Sequence, residues 1–234
     1  MKKLLAFAVL AFFLSGCFSI TEEIRQEPDN TYTLSRTVSM GTSMFDMLAS
    51  FRMKGDTTGI DSVSFRRQML DSMRTEFGGS IDTLKQFPGY ISGEIRDTVI
   101  DTNFFVTASV RISDPSYLPA YHEAMWASIN NGAKDSKDRL ALVVEKKDGK
   151  THLRYVFPPM EKEQKKQSKE EREQAKKFLK EINIYFRTIS PNLEPPKGKT
   201  KMKKVAGGYE YKLPLLEILD GKKPPKQIEF VINK

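Results

Sequence analysis

The residue types that could carry chemistry in this chain are few and poorly placed for it. Two histidines, His122 and His152, and one cysteine, Cys17, are its whole stock of imidazole and thiol. His122-Glu123-Ala124-Met125-Trp126 begins like the H-E-x-x-H helix of a zinc protease, where two histidines one turn apart hold the metal. Trp126 stands where the second histidine is needed. A zinc site here would have to draw mainly on carboxylates, so no metal is expected. His122 reads as a helix-surface residue. Ser92-Gly93 lacks the upstream glycine of a G-x-S-x-G elbow. Neither a Walker loop nor a G-x-G-x-x-G turn occurs. Asp97, Asp101 and Asp114 fall at hairpin or strand ends, where Asp serves turn chemistry. A facing carboxylate pair of the glycosidase kind is set by tertiary structure, and spacing does not reveal it. The expectation is a protein with no catalytic residue and no cofactor, that is, not an enzyme.

Cys17 is the exception. Lys2 and Lys3 precede an apolar run from Leu4 to Leu14, too short for a permanent membrane helix, and Ser15-Gly16 lead into Cys17. Leu14-Ser15-Gly16-Cys17 resembles the lipobox of bacterial lipoproteins. The resemblance implies a diacylglyceryl thioether on Cys17, cleavage before it, and acylation of the new N-terminus with a fatty acid such as palmitate. Several acyl chains hold a protein on a bilayer stably where one is marginal. An ordinary secretory signal followed by a chance cysteine is the competing reading. Phe18 occupies the position where Asp would imply inner-membrane retention, so the resemblance implies the outer membrane, on its periplasmic face or at the cell surface. Glu22-Glu23 faintly resembles a surface-export signal.

The net charge of +8 fits anionic headgroups, lipopolysaccharide or acidic glycans as well as plain solubility. Export argues against nucleic acid. The expected organisation is a signal peptide over residues 1–16, a lipidated cysteine and tether over 17–30, and a single envelope domain over 31–234.

Hydrophobic periodicity places the elements. Tyr32, Leu34, Val38 and Met40 alternate with Thr and Ser as a half-buried strand. Met44, Met47, Leu48 and Phe51 follow at helical spacing, and a second helix from about Ser62 carries Phe65, Met69, Met73 and Phe77 before Gly78-Gly79 ends it. Met47, Phe51, Phe65, Met69 and Met73 are candidate walls for an apolar ligand, or the stripe simply packs on a sheet. Alternation predicts a hairpin of Tyr90–Ile100 with Phe104–Ile112, a helix over about Pro115–Asn131, and a hairpin turning at Asp148-Gly149. A highly charged helix over about 160–180 has too few apolar residues to dock along its length; a partner-binding arm and a solvated crossover are both open. A strand over Ile182–Ile189, a hairpin of 201–205 with 209–213, a short helix and a last strand over 227–232 complete the chain. Lys199, Lys201 and Lys203 would share one strand face and could touch anionic headgroups, or protect a sheet edge.

This order predicts an α+β fold: an antiparallel, curved sheet built from hairpins, with several helices packed on one side. The lipobox, the strand beginning at Tyr32, and Tyr209–Leu219 before a last strand together resemble the mycobacterial LppM-like lipoproteins. That resemblance implies a curved sheet around an apolar cavity. The expected function is a membrane-anchored envelope lipoprotein that binds a lipid or other amphiphile. The alternative is a structural or assembly component whose charged helix docks an envelope protein.

Overall fold

A computed structural model describes residues 18–41, 62–100, 103–130, 139–158, 173, 176, 182–197, 200–219, 222–223 and 225–233. Leu14, Ser15, Gly16, Cys17, Met47, Phe51 and Lys199 lie outside them, as does most of the expected charged helix. Of that helix, Glu173 and Lys176 are described, and both are helical.

The segment expected as a tether is a strand. β1 (Phe18–Gln26) pairs antiparallel with β2 (Tyr32–Gly41) and parallel with β7 (Ile182–Ile189). The turn between β1 and β2 is closed by Asp29, whose carboxylate accepts hydrogen bonds from the Thr31 backbone N–H and hydroxyl. β3 (Tyr90–Ile100) and β4 (Asn103–Ile112) extend the sheet on one side. β8 (Lys203–Val205) and β9 (Gly208–Lys212) extend it on the other, in the order β3-β4-β2-β1-β7-β9-β8. β5 (Ala141–Lys147), β6 (Lys150–Val156) and β10 (Gln227–Asn233) form a separate sheet in the order β10-β6-β5. The described helices are α1 (Ser62–Leu84), α2 (Leu118–Asn130) and α3 (Leu215–Leu219), with a 3-10 turn over Pro115–Tyr117.

The α+β expectation is therefore corrected. The protein is mostly β, with a mixed seven-stranded sheet and a three-stranded sheet. Two long-range choices make the difference. β1 joins hairpin β1–β2 to β7 in parallel, and β10 pairs with β6 rather than extending the main sheet. Neither partner choice leaves a local trace in the sequence.

One face of the large sheet carries the core, following the two-residue strand period. Ile20, Ile24, Leu34, Ala108, Val110, Ile112 and Phe186 meet Leu118, Tyr121 and Met125 of α2 and Leu153, Tyr155 and Phe230 of the small sheet. The opposite face shows half-exposed hydroxyls, among them Thr21, Ser35, Thr37 and Ser109. α1 continues past Gly78-Gly79 because Ile81 and Leu84 beyond them are buried. Burial of two large aliphatic side chains outweighs a helix-propensity cost of about 1 kcal/mol per glycine. The hairpin at Asp148-Gly149 is present, both residues having positive φ (51° and 74°), as a tight primed turn requires.

Ile24 distinguishes a strand from a tether. Ile24→Ala removes a fully buried side chain from a central strand and is expected to cost about 2–5 kcal/mol. Chemical denaturation of the Cys17→Ser protein measures it; an unchanged midpoint would mean β1 is not part of the core.

Candidate functional site

The polar residues that the fold brings together are buried. Glu22 lies in the middle of β1 on the core face, directly across from Arg36 of β2 and beside Phe186 of β7. α2 crosses above and contributes His122 and Trp126, one turn apart on the same side. Glu22, Arg36 and His122 are each at most 2% exposed. His122 is thus a core residue, not the surface residue expected from its helix.

The Glu22 carboxylate is held from three directions. One oxygen faces His122 Nδ1 at 2.8 Å. The other accepts from an Arg36 guanidinium N–H at 3.2 Å and from the Trp126 indole N–H. The guanidinium also lies 4.1 Å from the centre of the Trp126 ring, a cation–π contact. The buried Tyr155 hydroxyl sits beside the same carboxylate without reaching hydrogen-bond geometry. Burial would raise the Glu22 pKa, but the His122 and Arg36 charges and the hydrogen bonds outweigh it and hold the group at about 2. Burial lowers the Arg36 pKa, with Glu22 opposing the shift. Burial and the neighbouring carboxylate push the Tyr155 phenol well above its ordinary value.

In this arrangement the charged groups are paired with one another inside the core. A His–carboxylate dyad acts as a base only with one ring nitrogen free for a nucleophile or substrate. Here Nδ1 faces Glu22, and Nε2 faces the Leu140 carbonyl at 3.3 Å. Both ring nitrogens therefore have a partner inside the core.

Of the residues singled out in the sequence, only some fall among those described. Phe65 and Met69 fall on α1 with side chains outside the description, and Met73 is half-buried on the same helix. Lys201 and Lys203 are exposed, but the strand begins at Lys203, so the shared strand face expected of them is absent between these two. Lys203 instead lies across from Glu210. Asp114 does serve a turn, accepting from the Ser116 N–H at 2.9 Å and pairing with Lys146 at 2.7 Å. Asp97 sits inside β3, where Arg74 of α1 grips it with two hydrogen bonds. An open groove of about 200 Å³, bordered by Glu194, Lys197, Met202 and Phe230, is smaller than the roughly 300–1,000 Å³ of a typical small-molecule site.

No protein-family profile matches the chain, and no curated protein matches it in sequence. Among solved structures, the folded domain of Mycobacterium tuberculosis LppM, determined by NMR, aligns with a TM-score of 0.41 at 7% identity. The alignment covers 93% of this chain and 90% of that one. At that score and identity the likeness transfers neither fold nor function.

Glu22→Gln is expected to cost about 3–5 kcal/mol, because it leaves the Arg36 guanidinium buried without its counter-charge. The acid limb gives an independent check. The folded pKa is depressed from 4.5 to about 2, so the contribution of Glu22 is present above the higher value and lost as pH falls through the lower. Over that window the parent should lose about 3 kcal/mol that Glu22→Gln does not. Urea titrations of both proteins at several pH values measure it; parallel acid limbs would refute a charged Glu22.

Proposed function

We propose that this protein is a non-enzymatic lipoprotein of the bacterial envelope, anchored through acylated Cys17, with its β domain held outside the bilayer. The observation that carries the reading is the tetrapeptide Leu14-Ser15-Gly16-Cys17 after a short apolar run, placed immediately before β1. No described helix is long and apolar enough to cross a membrane. Phe18 in the position after the cysteine supports the outer membrane over retention at the inner one. The non-catalytic reading is supported by His122, both of whose ring nitrogens are taken within the core. Binding of a lipid or other amphiphile would draw on the Met and Phe stripe, of which Met73 is half-buried on α1.

Intact mass spectrometry of the membrane-extracted protein should show a chain beginning at Cys17 and carrying acyl groups. Cys17→Ser should move the protein from the membrane pellet to the soluble fraction with its fold intact. A pellet fraction unchanged by that substitution would overturn the anchor.

A further inference from the structure

The anchoring cysteine immediately precedes β1, so the geometry of the sheet fixes which end of the domain meets the bilayer. Phe18 opens β1 and is paired with Met40 of β2; Met40 is paired with Phe104 of β4, and Phe104 with Val99 of β3. On the other side Phe18 is in register with Ile182 of β7. Paired residues project to the same face of a sheet, so these five side chains form an apolar row across five adjacent strands. The row spans about 19 Å at ~4.8 Å per strand.

Burial changes along this row. Met40 is inside the core, Phe18 and Phe104 are half-buried, and Val99 is 56% exposed. Ile100, next to Val99 at the tip of the β3–β4 hairpin and pointing to the other face, is 55% exposed. Two large aliphatic side chains are thus open on both faces of one strand end, at the same end of the sheet as Phe18, the residue that follows Cys17 in sequence. The far end is built differently: Asp29 pairs with Arg111 at 2.6 Å, and Thr33 donates to Glu27 at 2.7 Å.

We propose that the β3–β4 tip, through Val99 and Ile100, is a second membrane contact that seats in the interfacial region of the bilayer holding the acylated Cys17. The proposal rests on the lipid-anchor reading and commits to a lipid surface as the occupant. With no tether between Cys17 and β1, an apolar tip on the same sheet end cannot stay far from the headgroups. The acyl chains supply attachment, and the tip limits tilting of the domain about them. Ile91 is the internal control: it is also exposed (46%) on β3, yet lies at the far end of the strand, about 26 Å away at ~3.3 Å per residue.

The test uses the full-length lipoprotein, purified from membranes and reconstituted in vesicles of phosphatidylethanolamine and phosphatidylglycerol. A thioether on Cys17 leaves no free thiol, so V99C, I100C and I91C each accept one environment-sensitive fluorophore. The expected result is a blue shift and strong quenching by headgroup-region lipid quenchers at 99 and 100, with neither at 91. Acylated protein whose labels at 99 and 100 behave like the label at 91 overturns the membrane contact and leaves the anchor standing. Equal quenching at all three positions also overturns it, since the sheet would then lie flat. Uptake of label by the parent protein, with no acyl mass, overturns the anchor itself and this proposal with it. All three positions are exposed, and circular dichroism of each variant checks that the fold is retained.

Discussion

A single carboxylate in the middle of the central strand sets the terms for the rest of the fold. Glu22 takes up a core position on β1, where an ion without partners would cost several kcal/mol. Its partners come from separate parts of the chain: Arg36 from β2, and His122 and Trp126 from α2. His122 passes the connection on to the Leu140 carbonyl, at the entrance to β5. The hairpin, the helix and the approach to the small sheet are therefore assembled around one charge. A cluster of this kind adds little net stability compared with an apolar replacement, and its value lies in specifying an arrangement.

That specificity can be read in the register. Glu22 and Glu23 point to opposite faces of β1, and each has cations only on its own side. Glu22 has Arg36 in the core, while Glu23 meets Arg187 at 3.2 Å and Arg25 at 2.7 Å on the outer face. A slip of one residue would turn Glu23 into the core and carry Ile20 and Ile24 out of it. The acidic pair works as a two-sided register lock, and its second half extends to Glu210 of β9 through Arg187 at 2.6 Å.

The same residues explain what was legible in the sequence. The Asp148-Gly149 hairpin, the alternation of β2 and β4, and the apolar run of β7 are local signals, and they hold in the structure. β1 was hidden because its core face reads Phe18, Ile20, Glu22, Ile24: the alternation is there, but an acid occupies its third place. Read without Arg36 and His122, an acid in a short polar stretch looks like a tether. The parallel partner of β1 is equally silent, being supplied by β7 from far along the chain. The Glu22 cluster follows no motif, since its members come from β1, β2 and α2 with no spacing that chemistry demands. The only hint was His122 and Trp126 one turn apart, and the missing second histidine drew attention to zinc rather than to a buried acceptor.

Turning a tether into a central strand also changes what an anchor at Cys17 would do. A flexible linker lets a domain sample many orientations over a bilayer, with a reach that grows with its length. A strand that begins one residue after an acylated cysteine would offer no such freedom. β1 is paired on both sides along most of its length, by β2 and by β7, so its direction is the direction of the sheet. The ion cluster at Glu22 then fixes α2 and the entry to the small sheet relative to that strand. With such an anchor, orientation at the membrane would be a property of the folded core, passed through β1 to the elements that Glu22 holds. A domain mounted in this way would present its hydroxyl-lined sheet face and its far-end turns in a constant direction, which a protein swinging on a tether could not do.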